Sequence, residues 1–501
     1  MTFKRSSGIL LHPTSLPGPY GIGDIGPQAC RFIDWLVSTG SKLWQVLPLG
    51  PTGYGDSPYQ CFSAFAGNPY LISPEDLHTE GLLTQDDINK RPAFPASHID
   101  FGLLIPWKLD LLQIAFSRFQ STPGQLQNAF DYFRAENASW LDDYSLFMAL
   151  KESNGGGAWN SWPESQKKRK KPALSEALDE LAETIMRYAF YQFIFFRQWN
   201  KLRSYANERG IQIIGDIPIF VAYDSADVWS HPELFFLDND GNPTVVAGVP
   251  PDAFSATGQL WGNPLYNWEI HKKDGYAWWL SRVRATLQTV DIIRFDHFRG
   301  FAGYYEIPAN HKTAELGRWV AGPGEDLFRA VDKNLGDGLN THGTGLPIIA
   351  EDLGLVTPDV IKLLEAFDLP GMKVLQFGFT GPENPFLPHN YVPNCVAYTG
   401  THDNDTTRGW FELAEKHERE FAMRYLGVDG HDFAWDLIRA VWRSVAEIAI
   451  TPMQDVLSLG GEARMNFPSR LGGNWSWRMN ELDMREELAN KLMDLNWLCN
   501  R

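Results

Sequence analysis

Cysteine is scarce in this chain, and long apolar runs are missing. The 501 residues contain four cysteines, at positions 30, 61, 395 and 499. Because they show no C-x-x-C pair or metal-ligand spacing, we expect reduced thiols rather than a disulfide framework or a zinc site. No segment approaches the ~20 apolar residues of a membrane helix, and no secretory segment precedes the first strand-like residues at Gly8. These absences predict a soluble protein of the cytoplasm or of a plastid stroma-like compartment, without membrane contact.

Basic residues are in the minority, and the common cofactor motifs are missing. The formal net charge is -17, which argues against a nucleic-acid partner because such binding depends on neutralised phosphates. No strand candidate runs into G-x-G-x-x-G, so a dinucleotide site has little support. No H-x-H or H-E-x-x-H spacing indicates a bound metal. We therefore expect no cofactor and no resident metal.

What the chain does contain is a series of short apolar segments with strand character. They lie at residues 8–11, 43–47, 211–216, 290–296, 346–351, 372–377, 395–399 and 452–457. Helical patterns separate them, and strands that alternate with helices indicate a parallel sheet. Eight is the number that closes a barrel. The predicted fold class is an α/β (β/α)8 TIM barrel over residues 1–501, with an open doubly wound sheet as the alternative.

Two long segments interrupt the barrel pattern. From about residue 70 to 206, after the second strand, Leu, Phe and Trp recur at helical spacing, which predicts a mainly helical insertion. From about 218 to 289, after the third strand, Gly and Pro punctuate the chain, which predicts an irregular or helical insertion. The large insertions belong to a single catalytic domain in this interpretation.

Carboxylates stand at the ends of the predicted strands. Asp216, Asp296 and Glu351 each end one, and Asp403 follows the seventh. Strand ends of a parallel barrel share one rim, so these groups can converge on one pocket. Arg294 shares a strand face with Asp296 and would keep it ionised. Two carboxylates flanking one bond are what retaining glycosidic chemistry needs, whereas rim carboxylates and histidines also leave a divalent-cation site open.

Several longer motifs carry a resemblance to a known family. They are His-Pro-Thr-Ser-Leu-Pro-Gly at 12–18, Gly-Tyr-Gly-Asp-Ser-Pro-Tyr-Gln at 53–60, Gly-Val-Pro-Pro-Asp at 248–252, Arg-Phe-Asp-His-Phe-Arg-Gly at 294–300, Ala-Glu-Asp-Leu-Gly at 350–354, Asn-Pro-Phe-Leu-Pro-His at 384–389 and Gly-Thr-His-Asp-Asn-Asp-Thr at 400–406. Across essentially its whole length the chain resembles the amylomaltases, or 4-α-glucanotransferases, which are relatives of the α-amylase clan.

The resemblance implies specific roles for residues at the rim. Asp296 would be the nucleophile, Glu351 the acid/base and Asp403 the carboxylate that stabilises the transition state. The glucan-binding residues would be Tyr54, Asp56, Tyr59, Arg294, His297, His402, Pro250, Phe254 and Trp261. Pro250 and Phe254 would cover the acceptor side. Substrates would be malto-oligosaccharides, amylose, or starch and glycogen chains, and the protein would be a monomer or weak homo-oligomer.

Two positions depart from the related patterns. Asp216 is followed by Ile-Pro-Ile-Phe, whereas α-amylases place Asn-His after the corresponding Asp; this favours an amylomaltase and weakens any claim that Asp216 contacts substrate or that calcium lies nearby. Thr380 stands where many members have an acidic residue, which puts donor-side binding in question. A retaining α-glucan hydrolase and a non-catalytic glucan-binding protein remain the alternatives to a transferase.

Overall fold

Eight parallel strands form a closed barrel at the centre of the molecule. The computed structural model describes residues 3–122, 124–251, 255–339, 345–354, 356–468, 470 and 472–501. The strands of this part of the chain are β1 (Ser6–Leu10), β2 (Leu43–Gln45), β3 (Gln212–Pro218), β4 (Val245–Val249), β5 (Gln259–Pro264), β6 (Ile292–Asp296), β7 (Gly303–Pro308), β8 (Arg318–Ala321), β9 (Ile348–Ala350), β10 (Gly371–Val374), β11 (Cys395–Tyr398) and β12 (Ile448–Pro452). Around the barrel the order is β1, β2, β3, β6, β9, β10, β11 and β12, and β12 pairs with β1. The predicted fold class is confirmed.

Helices cover the barrel and fill the connections. Those in the described residues are α1 (Pro27–Ser38), α2 (Pro74–Thr79), α3 (Gln85–Asn89), α4 (Phe101–Ser121), α5 (Gly124–Ser153), α6 (Glu164–Lys167), α7 (Lys171–Glu180), α8 (Ala182–Glu208), α9 (Ala226–Ser230), α10 (Trp268–Lys273), α11 (Ala277–Thr289), α12 (Arg299–Ala302), α13 (Glu325–Leu339), α14 (Pro358–Ala366), α15 (Thr407–Leu413), α16 (Lys416–Leu426), α17 (Phe433–Arg443), α18 (Met453–Val456) and α19 (Glu486–Leu498). Helices α2 to α8 all lie between β2 and β3. None of these helices is long and apolar enough to cross a membrane.

The prediction for the eighth strand is wrong. Strand β12 ends at Pro452, and residues 453–456 of the predicted segment form the short helix α18. The buried residues before Pro452 include the β-branched Ile448, Ile450 and Thr451, which favour a strand. Proline has no N–H to donate to the next rung, so the strand ends there.

A second sheet, of four antiparallel strands, lies beside the barrel. Its order is β5, β4, β7 and β8. Strands β4 and β5 lie in the segment for which the sequence indicated irregular or helical structure, so that expectation missed both of them. Their Gly and Pro residues obscure the strand pattern, and β4 pairs with β7, which is distant in sequence. Val246, Tyr305 and Ile307 form a small core within this sheet.

The main core is continuous from the barrel into the helices. One cluster of buried apolar side chains extends from Phe3 to Leu495. Within the helices between β2 and β3, the rings of Phe119 and Phe190 stack with centroids 4.8 Å apart. Such packing fixes the helices against the barrel wall and holds the strand ends in place.

Candidate active site

The strand register brings the predicted carboxylates to one rim. Asp216 in β3 is the register partner of Arg294 in β6. Phe295 in β6 is the register partner of Ala350 in β9, so Asp296 and Glu351 follow directly on neighbouring strands. Adjacent strands lie about 4.8 Å apart. Their carboxyl groups therefore stand side by side at the same end of the barrel.

Arg294 joins two of these carboxylates. One of its terminal nitrogens donates to both oxygens of Asp216, at 2.8 and 2.7 Å, and to Oδ1 of Asp296 at 3.0 Å. The side chains of Arg294 and Asp216 are 4% and 0% exposed. Ions this deeply buried are tolerated only when they are paired and hydrogen-bonded. The contact also holds the Asp296 carboxylate in one orientation, as the shared strand face of the two residues predicts.

Glu351 is buried and is held by two backbone groups. Its Oε2 accepts a hydrogen bond from the N–H of His297 at 2.7 Å, and its Oε1 accepts one from the N–H of Leu353 at 2.8 Å. Burial, reinforced by the negative charge of Asp296, raises the pKa of Glu351 to about 7. These effects outweigh the two hydrogen bonds and the charge of Arg294. Glu351 can therefore carry a proton near neutral pH, as a general acid must.

Asp403 is held in the ionised state on the opposite side of the site. Its Oδ1 accepts a hydrogen bond from the Nδ2 of Asn466 at 2.6 Å, and its Oδ2 lies 3.4 Å from Nε2 of His402. A terminal nitrogen of Arg464 donates to its backbone carbonyl at 2.7 Å. Partial burial opposes ionisation, but His402 and Asn466 hold the pKa of Asp403 well below its usual range. Asp403 therefore offers a fixed negative charge to the cleft.

An aromatic stack connects Asp216 with His402. The hydroxyl of Tyr59 donates to Asp216 at 2.8 Å and lies 3.5 Å from Nδ1 of His402. The Tyr59 and His402 rings stack with centroids 5.0 Å apart, and Trp475 packs against both. Burial lowers the pKa of His402, but the neighbouring Asp403 outweighs burial, so the pKa is raised.

The residues of this rim are suited to a polyhydroxy ligand. In the described part of the chain, no group of three or more His, Cys, Asp or Glu side chains is arranged to hold a metal ion. The Nε2 atom of His297 is buried and has no hydrogen-bond partner within the described protein. The His297 ring contacts the edge of Trp261, with centroids 4.8 Å apart. This nitrogen is a hydrogen-bonding group that no described protein atom satisfies.

Comparison with known proteins decides between the functions that such a rim supports. The family model described as 4-alpha-glucanotransferase matches residues 11–484. The chain belongs to this 4-α-glucanotransferase family. It is therefore an enzyme of the amylomaltase type, and neither a simple hydrolase nor a non-catalytic glucan-binding protein is favoured.

Individual relatives agree with the family assignment over nearly the whole chain. A 4-alpha-glucanotransferase of Thermus thermophilus is 52% identical over 489 residues, covering 96% of this chain and 95% of the relative. A chloroplastic/amyloplastic 4-alpha-glucanotransferase of Solanum tuberosum is 45% identical, covering 98% of this chain and 86% of the relative. The solved amylomaltase of Streptococcus agalactiae in complex with acarbose is 40% identical and superposes with a TM-score of 0.95, covering 99% of this chain and all of that one.

The remaining predicted site residues of the glucanotransferase lie around the rim, in loops and in β5. Tyr54 is 73% exposed, and both Gly55 and Asp56 adopt left-handed backbone conformations. Pro250 follows β4 and is half-buried, while Phe254 lies outside the described residues. Trp261 in β5 contacts His297, as described above. Trp261 therefore lies at the rim. Among the described residues, no hydrogen bond or ion pair joins Tyr54 or Asp56 to Asp296, Glu351 or Asp403.

Several residues of the site were not identified from the sequence. Asn466, Arg464 and Trp475 come from the chain after β12, far in sequence from the motifs around Asp296 and Asp403. Trp475 has a left-handed backbone, with φ of 61°, which no local pattern signals. Asp216, by contrast, lies at the rim as its strand-end position predicts, bound by Arg294 and Tyr59. Thr380 is exposed, and its hydroxyl accepts a hydrogen bond from Asn384 at 2.8 Å.

Proposed function

We propose that the enzyme transfers α-1,4-glucan segments to the 4-hydroxyl of an acceptor by double displacement, with Asp296 as nucleophile and Glu351 as acid/base. The observation that carries this proposal is the pairing of a buried, protonatable Glu351 with an arginine-held Asp296 on the adjacent strand. Neighbouring carboxyl groups of this kind suit retention, because inversion needs a wider separation for an intervening water.

In the first half-reaction, Asp296 attacks the anomeric carbon of the donor. The glycosidic C–O bond breaks, and Glu351 gives its proton to the departing oxygen. In the second, the Glu351 carboxylate takes the proton of the acceptor 4-hydroxyl, whose oxygen attacks the same carbon and releases Asp296. One glycosidic bond breaks and one forms, so atoms and charge balance and Glu351 recovers its proton.

Asp403 would stabilise the transition state. Positive charge develops on the sugar ring as the bond to the leaving group breaks. Asp403 presents a fixed negative charge, oriented by Asn466 at 2.6 Å and flanked by His402. We propose that His402 and His297 form hydrogen bonds with sugar hydroxyls, since both imidazole rings lie at this rim. Arg294 would act through Asp296 by holding it in the reactive orientation.

Glucan-binding residues of the outer loops complete the proposal. We place Tyr54, Asp56 and Tyr59 along the glucan path, and Pro250, Phe254 and Trp261 on the acceptor side. Exposure of the Tyr54 ring supports stacking on a sugar face. An acceptor sugar competes with water only if the loops shade the glycosyl-enzyme intermediate from solvent. Because Thr380 takes the place of an acidic residue, the donor sugar would have no acidic contact at this position.

The experiment compares two substrates that differ in their leaving group. Maltotriose needs protonation of its leaving oxygen, whereas α-maltotriosyl fluoride releases fluoride without it. Asp296→Asn should lose at least about a thousandfold in rate on both substrates, because the nucleophile is essential to each. Glu351→Gln should lose maltotriose transfer but keep a burst of about one fluoride per enzyme, because the first step needs no proton and the second step lacks its base. Glu383→Gln, at an exposed position, serves as the control.

Two results would contradict the proposed roles. The nucleophile is misassigned if Asp296→Asn keeps near wild-type activity. The acid/base is misassigned if Glu351→Gln also loses the burst of fluoride from the first step. Products of wild-type maltotriose turnover check transfer itself, which should yield glucose and longer oligosaccharides without a net gain of reducing ends.

We further propose the biological setting from the same residues. The substrates would be malto-oligosaccharides, amylose, or starch and glycogen chains; the acarbose complex of the Streptococcus agalactiae relative supports an oligosaccharide ligand. The four cysteines, all free thiols, support a reducing compartment, either the cytoplasm or a plastid stroma. The continuous core supports one catalytic domain of 501 residues in which the helices within 70–206 and the segment 218–289 are insertions. We expect a monomer or weak homo-oligomer.

A further inference from the structure

A groove on the outer side of the barrel, between α5, α8 and α11, has the surface chemistry of a carbohydrate site. We propose that this groove binds a segment of an α-1,4-glucan chain at a second site, separate from the catalytic rim. Its volume is about 430 Å³, and the lining residues include none of Asp296, Glu351 and Asp403. The inference takes its ligand class from the proposed function but does not depend on the catalytic roles.

The floor of the groove consists of half-buried aromatic rings. Phe196 of α8 lies with its centroid 5.8 Å from the rings of both Phe133 and Trp140 of α5. Phe65 stacks on Trp140 with centroids 6.3 Å apart. Exposed ring faces beside a polar rim pack well against the C–H faces of sugar rings. The floor thus provides a platform for a glucan.

The rim of the groove carries uncharged polar side chains. Asn200 and Ser204 of α8 and Gln288 of α11 are exposed at its edge. Within the described residues, their side chains make no hydrogen bond to the protein, so their donors and acceptors remain available. Amide and hydroxyl groups both donate and accept, as sugar hydroxyls require. From Phe196 to Asn207 the lining face of α8 extends about 16 Å, enough for a few sugar rings.

The charge of the groove excludes most other ligands. Among its described lining residues, Arg203 carries the charge, and Asp291 accepts hydrogen bonds from it at 2.8 and 3.1 Å. Asn207 donates to the same carboxylate at 2.9 Å. An anionic ligand would find no unpaired cation in the groove. A neutral, hydroxyl-rich polymer matches the combination of rings, amides and neutralised charge.

The test uses the double variant Asn200→Ala/Gln288→Ala, because both positions are exposed and the fold should be unaffected. Binding is measured by retardation of the enzyme in native gels that contain amylose, and turnover is measured on amylose and on maltotriose. Each lost hydrogen bond should weaken amylose binding by about two- to tenfold. Maltotriose transfer should stay at the wild-type rate, because this short substrate needs only the catalytic rim. Asn128→Ala, on an exposed face of α5 outside the groove, is the matched control.

A second variant removes the platform. Trp140→Ala should reduce amylose retardation further while maltotriose transfer continues, which also verifies that the variant is folded. The inference is overturned if the double variant is retarded like the wild type. It is also overturned if the control loses binding to the same extent. Failure of the proposed catalytic function would appear instead as absent maltotriose transfer in the wild type.

Discussion

Raising the pH should inactivate the enzyme by deprotonating Glu351. In the proposed mechanism this residue must hold a proton when the donor bond breaks. Its pKa of about 7 results first from burial and second from the charge of Asp296. An ordinary glutamic acid, with a pKa near 4.3, would already be ionised at neutral pH. We therefore expect activity to decline above about pH 7, and this decline should follow the titration of one carboxyl group.

The size of the effect follows from this pKa. At pH 6 about 90% of Glu351 carries a proton, and at pH 8 about 10% does, so kcat/KM should fall about tenfold between the two. Each further pH unit should remove about another factor of ten. The loss is reversible on return to pH 6, because it reflects protonation and not unfolding.

The assay follows initial rates from pH 5.5 to 9 with two substrates. Glucose release reports maltotriose transfer, and fluoride release reports the first step with α-maltotriosyl fluoride. Because fluoride departs without a proton, its release should lack the decline that begins near pH 7. Circular dichroism over the same range controls for unfolding. An alkaline limit absent up to pH 9, or an equal decline for both substrates, would refute the assignment of the proton to Glu351.

Two further changes test the groups around Asp296, Glu351 and Asp403. Arg294→Met should lower the free energy of unfolding by about 3–5 kcal/mol, because it leaves buried carboxylates without their cation. Denaturant titration should show a smaller loss of stability for Arg294→Lys, which keeps the charge. Equal losses for the two variants would argue against the charge as the cause. Asn466→Ala should lower kcat/KM by about tenfold, since it removes the donor 2.6 Å from Asp403. As a control, Asn334→Ala, at an exposed helix position, should leave the rate unchanged. An unchanged rate for Asn466→Ala would mean that its hydrogen bond to Asp403 does not contribute to catalysis.

The barrel and its rim could be predicted because both depend on local pattern. Apolar segments such as that of β6 identify strands, and parallel strands place their ends together whatever the details of the connections. The contact between Arg294 and Asp296 followed from the two-residue period of a strand alone. The prediction failed where the pattern is ambiguous, as for β12, whose segment continues into a short buried helix after Pro452.

The rest of the site depends on contacts that no local pattern specifies. Asn466 and Trp475 reach the rim through irregular chain, and the left-handed backbone of Trp475 depends on its surroundings. Strands β4 and β5 likewise require partners that come later in the sequence. Such features are decided by tertiary packing, so a single sequence gives them no periodic signal.

The distribution of charge explains why the site needs more carboxylates than the chemistry uses. Arg294 binds both Asp216 and Asp296, so one cation serves two carboxyl groups at the base of the cleft. Negative charge beside a buried carboxyl group favours the protonated form, which is the state that Glu351 needs as an acid. The same field, together with Asp403, favours the positive charge that develops on the sugar. Burial makes the largest contribution to the raised pKa of Glu351, and the charge of Asp296 adds to it. The part due to charge has the same electrostatic origin as stabilisation of the transition state, so a change that weakens one should weaken the other.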